Sequence, residues 1–285
     1  MSFSYASIVK NNKKTPTEKT SSSHTSTSKT SSQVVTITNS SSSSNSNPKF
    51  SSNTSSNTSS NTSSNPKFSS GKIDPNICYI VVLDFEATCW DDNNQSRHRM
   101  EIIEFPSVLV EWNFKTGKTR RLGEFQEYCK PQTSKISKFC YELTGISQKT
   151  VDKADSFPNV FKRHFKWLQS LIPNYSQQPY VNIMTVGDWD IAKQLPKDLK
   201  RWGLKKQKIA TVYKSFYNIK SEFVYHLQPK NKRGFGMANM LKYLKLSLDG
   251  RHHSGIDDCR NTAKILERLV QLGLKADKMQ LRWMR

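Results

Sequence analysis

The sequence predicts one α/β domain with a mixed sheet, preceded by a long polar tail. Three observations carry that reading. Composition changes abruptly near residue 71, strand patterns follow one another at the start of the folded part, and helical and strand patterns then alternate towards the end of the chain.

Residues 1–71 hold almost no aliphatic side chains after Ile37, and Ser, Thr and Asn dominate. Such a segment cannot bury enough apolar surface to offset its backbone entropy, so disorder is expected there. Within it Asn-Pro-Lys-Phe-Ser-Ser occurs at 47–52 and again at 65–70, separated by Ser-Asn-Thr-Ser units of period four. A repeat this short and polar has no apolar face to stack, and it reads as a flexible tether. Its Lys10, Lys13, Lys14 and Lys19 would form a basic arm for nucleic acid. Residues 72–285 suffice for one domain with a sizeable core.

The folded part opens on 79–83, a short, wholly apolar and β-branched run typical of a strand buried on both faces. A second strand is expected within 101–112 and a third over 124–129. Gly117, in Lys115-Thr116-Gly117-Lys118, makes the turn between them, so these three strands form a meander. Residues 157–172 are helical, with Phe161, Phe165, Leu168 and Ile172 at helical spacing and Pro173 as the stop. Another strand follows at 180–186, then a helix from about Asp190. The last long helix spans 257–272, with Ala263, Leu266 and Val270 on one face and Gly273 as its C-cap.

Charge narrows the function. The net charge is +21, and the first 71 residues hold seven Lys and one Glu, which leaves about +15 in the folded part. A basic, aromatic-rich domain suits a polyanion, and single-stranded nucleic acid in particular, whose bases stack on rings while cations follow the phosphates. Lys205, Lys206 and Lys208, and Lys230, Lys232 and Arg233, are candidate phosphate contacts. The five cysteines (78, 89, 129, 140 and 259) include no C-x-x-C pair, against both a disulfide framework and a zinc site. There is no apolar leader in the first ten residues and no run of 18 apolar residues, so the chain is expected to be neither secreted nor membrane-spanning but intracellular, in nucleus or cytoplasm.

Three segments could carry chemistry. Asp84-Phe85-Glu86 follows the buried strand, and the strand period points both carboxylates the same way. Two like charges there call for something cationic between them, which hard divalent ions such as Mg²⁺ supply. Gly187-Asp188-Trp189-Asp190 sits where a strand hands over to a helix. Asp190 is favoured for chemistry because it follows Trp189 and begins the helix whose Leu195 would pack on the sheet, whereas Asp188 reads as a cap or surface residue. In Arg251-His252-His253-Ser254-Gly255-Ile256-Asp257-Asp258 a histidine precedes an aspartate by five positions across a glycine turn. The loop can hold an imidazole over a site to which the helix presents a carboxylate. Each segment alone has an ordinary reading as a turn, cap or loop; it is their occurrence in this order, on these elements, that points to one site.

With those segments, the chain resembles the DEDDh exonucleases, a branch of the ribonuclease H-like superfamily, and within it the ERI-type 3′-to-5′ exoribonucleases. The resemblance runs from about Ile80 to Gly273 and rests on Asp84-Phe85-Glu86-Ala87-Thr88-Cys89, Glu101-Ile102-Ile103-Glu104-Phe105-Pro106, Leu143-Thr144-Gly145-Ile146, Gly187-Asp188-Trp189-Asp190 and the segment from Gly250 to Asn261. It implies a ribonuclease H-like fold, and a site in which Asp84, Glu86, Asp190 and Asp258 hold two Mg²⁺ ions, or Mn²⁺ in their place. It implies His253, rather than His252, as the general base, with Glu86 also orienting the water or the 3′-hydroxyl. Ala87 would lie against the terminal nucleotide, with Thr88, Leu143 and Ile146 as further contacts. The implied partner is the 3′ end of an RNA, processed by a monomer that releases nucleoside 5′-monophosphates. RNA over DNA rests on the resemblance alone. A DNA exonuclease with the same site, and an inert nucleic-acid-binding module, are the alternatives.

Overall fold

The central strand of the sheet is the apolar run. In a computed structural model that describes residues 73–91, 100–231 and 233–284, β1 (Ile77–Leu83) is buried along all but its first residue. It pairs antiparallel with β3 (Ile102–Asn113), which in turn pairs antiparallel with β4 (Lys118–Lys130), giving the expected meander. Gly117 makes the β3–β4 turn with a φ of 69°, in the region that glycine enters without steric cost. A two-residue β2 (Glu86–Ala87) pairs with β3. On the other side β1 pairs parallel with β6 (Val181–Thr185), β6 parallel with β7 (Ser215–Asn218), and β7 antiparallel with β8 (Leu281–Trp283). With the short β5 (Asp155–Ser156) beside β4, the eight strands form one mixed sheet in the order β5-β4-β3-β1-β6-β7-β8, with β2 on β3.

Helices are α1 (Lys138–Thr144), α2 (Gln148–Asp152), α3 (Phe157–Leu171), α4 (Leu195–Arg201), α5 (Ile219–Leu227), α6 (Met237–Tyr243) and α7 (Gly255–Gln271). Side chains alternate across β1 and β3. Tyr79, Val81, Leu83, Phe105 and Leu109 build the core on the α3 side, with Phe157, Phe161 and Leu168. α7 packs on β1, β3 and β4 and buries Cys259, Ala263 and Leu266. The sheet is thus flanked by helices, as the α/β reading requires.

Several boundaries differ from the sequence reading. The third strand starts at Lys118, not at 124, because β3 pairs with its exposed polar half all the way to the Gly117 turn. A bulge absorbs Leu122: Leu109 faces Gly123 while Val110 faces Arg121. The last helix begins at Gly255, two residues early, and is capped by Leu272, with Gly273 following at a φ of 93°. The helix after β6 begins as a π-helical turn, Asp190–Gln194, before α4. The expected tail disorder, its basic arm and Lys232 lie outside the described residues. Among the described residues no helix is long and apolar enough to cross a membrane.

Candidate active site

β1, β6 and β7 run parallel, so their C-terminal ends share one edge of the sheet. Open α/β sheets present their ligand sites at that edge. Asp84 follows β1 directly. Phe85 turns inward, its ring 4.7 Å from that of Phe105, while Asp84 and Glu86 line a cleft of about 280 Å³. Glu86, in β2, stands opposite Glu104 of β3, a like-charge pair in cross-strand register.

Asp190 comes from the end of β6. The π turn it opens closes with the Leu195 N–H donating to the Asp190 carbonyl, a local widening often found at functional sites. Its side chain is buried beneath the cleft, where Oδ1 accepts the Phe85 N–H at 2.9 Å. Asp258 lies in the first turn of α7, where the helix dipole favours negative charge. Its Oδ2 accepts the His253 N–H at 3.0 Å, and its Oδ1 is buried with no hydrogen-bond partner.

His253 has a φ of 66°, a conformation uncommon for non-glycine residues, and its ring stacks on that of His252 at 4.0 Å. The two imidazoles and Asp258 bring potential ligand atoms within 4.8 Å of one another. α7 approaches this closely because residue 255 is glycine. A Cβ there would meet Pro106 Cγ at 2.7 Å, the Asp84 carbonyl at 2.9 Å and Glu104 Oε2 at 3.0 Å.

Burial and mutual repulsion set the electrostatics. Burial pushes the Asp84 carboxyl well above its ordinary range, and Asp190, Glu86 and Asp258 push it further. Glu86 is raised to about 9 by burial and by Glu104, Asp258 and Asp190. Burial raises Asp190 to about 7 and Asp258 to about 6. No lysine or arginine among the described residues is ion-paired with any of these four. Uncompensated carboxylates around an orphaned Asp258 oxygen fit hard divalent cations, which take oxygen ligands. Burial, His252 and Arg251 lower the His253 pKa, which leaves it neutral near neutral pH and able to accept a proton.

The neighbouring aspartates are different. Both Asp188 oxygens take Arg282 Nη1 at 2.6 Å, and Oδ1 also accepts from Asn218. Asp257 accepts from Arg260 and from the Arg251 N–H. Burial raises its pKa, but these donors and the Ser254 side chain outweigh it and hold the carboxyl below its usual range.

Of the other expected contacts, Ala87 and Leu143 line the cleft. Thr88 and Ile146 are buried behind it: the Thr88 hydroxyl accepts the Glu101 N–H, and Ile146 packs with Ile103, Cys140 and Val151. Of the basic clusters, Lys206 donates to the Met284 carbonyl, while Lys205, Lys208, Lys230 and Arg233 are exposed.

Residues that sequence reasoning passed over also shape the site. Glu104 holds the Gly255 N–H at 3.2 Å, and an acid within the apolar stretch that opens β3 was its available signal. Trp189, Met100 and Met237 complete the wall. Arg251 clamps the end of α1 through the Glu142 and Leu143 carbonyls, and no local pattern announces that contact.

Fold and cleft together define a nuclease domain of the DEDDh type. The chain belongs to the RNase T exonuclease family, which matches residues 81–266, and within it to the ERI-type branch. It is similar to 3′-5′ exoribonuclease 1 of Rattus norvegicus, 35% identical over 206 residues that cover 72% of this chain and 56% of that protein. It is also similar to the 3′-5′ exonuclease Snipper of Drosophila melanogaster, 31% identical over 214 residues, covering 68% of this chain and 70% of Snipper. Among solved structures it resembles the nuclease domain of 3′hExo, a DEDDh family member, bound to rAMP. That likeness has a TM-score of 0.61 and 31% identity, and covers 73% of this chain and 97% of that domain. The chain spans about half the length of the exoribonuclease 1 relatives it matches. The DEDDh family depends on divalent metal.

Proposed function

We propose that this chain is a divalent-metal-dependent 3′-to-5′ exoribonuclease that hydrolyses the terminal phosphodiester of single-stranded or overhanging RNA 3′ ends. The observation that carries the reading is a set of four carboxylates, Asp190 and Asp258 buried and Asp84 and Glu86 partly so, with no ion-paired lysine or arginine among the described residues and with His253 lining the same cleft. The RNA preference draws on the relatives named exoribonucleases and on the neighbour bound to rAMP.

Asp84, Glu86, Asp190 and Asp258 would hold two Mg²⁺ ions, with Mn²⁺ able to replace them. When bound, such ions stabilise the charge on the attacking and leaving oxygens of an in-line displacement. His253, neutral at the working pH, takes the proton from the attacking water. Its backbone tie to Asp258 fixes the loop from which the imidazole reaches into the cleft. Glu86 orients the water or the 3′-hydroxyl. Ala87 and Leu143 form the wall for the terminal nucleotide, while Thr88 and Ile146 support that wall from behind. The products are a nucleoside 5′-monophosphate and a strand with a new 3′-hydroxyl. Every residue of this set comes from one chain, so a monomer suffices.

The test is the full-length chain with matched 5′-labelled RNA and DNA single strands, in Mg²⁺ and in EDTA. Shortening from the 3′ end with release of 5′-monophosphates, in Mg²⁺ only and faster on RNA, is the expected result. Equal rates on DNA would leave the exonuclease and remove the RNA preference; no release from either strand would sink the reading.

A further inference from the structure

A second groove opens beside the catalytic cleft on the same sheet edge. It encloses about 680 Å³ beyond the C-terminal ends of β6 and β7, and its lining includes Gly187, Asp188, Asn218, Lys220, Tyr225 and Arg282. One short segment serves both cavities: Val186 and Trp189 line the cleft, whereas Gly187 and Asp188 line the groove. Further along the chain Gln228 lines the groove and Met237 the cleft. Between those two residues Lys230 and Arg233 are exposed. The cleft and the groove are therefore neighbours, with the 186–189 segment contributing to the walls of both.

The groove's chemistry suits such a strand. Its charged lining is Asp188, Lys220 and Arg282, and the Asp188 carboxylate is already held by Arg282 and Asn218. Lys220 is exposed and forms no ion pair among the described residues, so the groove carries a net positive charge. Tyr225 is 56% exposed and presents an aromatic surface to the same space. A lone exposed tyrosine is unremarkable. Its presence with the unpaired Lys220, in a concavity beside the cleft, is the combination by which proteins hold single strands: rings stack bases and cations follow phosphates.

We propose that this groove binds the nucleotides upstream of the terminal phosphodiester, with Tyr225 stacking on a base and Lys220 against a phosphate. The proposal rests on the exoribonuclease reading above and extends it from the reacting bond to the strand behind it.

Two readouts separate the failures. In EDTA, fluorescence anisotropy of the full-length chain with a single-stranded RNA of about ten nucleotides should give affinities for Tyr225→Ala and Lys220→Ala below wild type. The stacking loss for Tyr225→Ala should be roughly 5- to 100-fold. Tyr225→Phe keeps the ring and should bind like wild type. In Mg²⁺, the alanine variants should raise KM for that strand while leaving kcat, and KM for a dinucleotide, unchanged. Unchanged binding in both alanine variants would overturn the proposal, as would equal damage to the dinucleotide and the longer strand. Weakened binding with no turnover in any form, wild type included, would keep the groove and remove the exonuclease reading.

Discussion

Two groups of buried carboxylates lie at similar depth in this molecule and are treated in opposite ways. Glu101 and Asp198 are each 1% exposed, against 3% for Asp190 and 4% for Asp258. The first group is provided for internally. Arg201 reaches Asp198 at 2.6 Å and Glu101 at 3.8 Å, and Glu101 also accepts the N–H groups of Gln132, Thr133 and Ser134. Burial raises the Glu101 pKa, but those donors outweigh it and the net shift is downward. Asp198 stays raised, at about 6, because burial exceeds what Arg201 and Gln194 return. No lysine or arginine among the described residues is ion-paired with the second group, and the charges that raise Asp84 most are those of Asp190, Glu86, Asp258 and Glu104. That contrast fits the proposal that the second group takes its cation from solution. The same contrast separates Asp188 and Asp257, each paired with an arginine, from Asp190 and Asp258, which have no such partner among the described residues.

The comparison can be broken at either end. The largest effect is expected from Asp84→Ala: nucleotide release from labelled RNA in Mg²⁺ should vanish, and full activity there would remove the assignment of the acidic set. Next, His253→Ala should slow kcat about 10²- to 10⁴-fold, the usual worth of a general base, while Mg²⁺ still raises the melting temperature. A variant that lost its Mg²⁺ response as well would make His253 part of the cation site instead. Arg201→Met attacks the other group. Stranding two buried carboxylates should cost about 3–5 kcal/mol in urea unfolding. A cost near zero would mean that the backbone donors around Glu101 carry that group without Arg201.

Much of this architecture was legible in the sequence, and the reasons differ by element. β1 announces itself because it is buried on both faces and so reads as an unbroken apolar run. α3 and α7, of 15 and 17 residues, are long enough for a helical period to be visible. α1, α2 and α6 have only five to seven residues, too few turns to show one, and β7 and β8 are as short. The candidate site was legible through order: Asp84, Glu86, Asp190, His253 and Asp258 fall on successive strand ends and a helix start, and the fold brings them together. What distinguishes Asp190 physically from Asp188 is Arg282, 94 positions away, and no local pattern contains it. The groove was illegible for the same reason, since Asp188, Lys220, Tyr225 and Arg282 meet only through the β6-β7-β8 pairing.

If the acidic cluster takes its counter-charge from divalent cations, thermal unfolding of the 285-residue chain against pH, in EDTA and in Mg²⁺, will show it. The raised pKa values of Asp84, Glu86, Asp190 and Asp258 mean that the folded state holds protons the unfolded state has released. Their contribution is fully present below the unfolded carboxylate pKa of about 4 and is lost as pH rises through the folded values, near 6, 7 and 9 for Asp258, Asp190 and Glu86. In EDTA this cluster should therefore lower the melting temperature progressively from about pH 5 to pH 9, and Mg²⁺ should restore it by an amount that grows with pH. Asp84→Asn should melt higher than wild type in EDTA and gain little from Mg²⁺. A Mg²⁺ gain that is absent, independent of pH, or undiminished in Asp84→Asn would contradict the account.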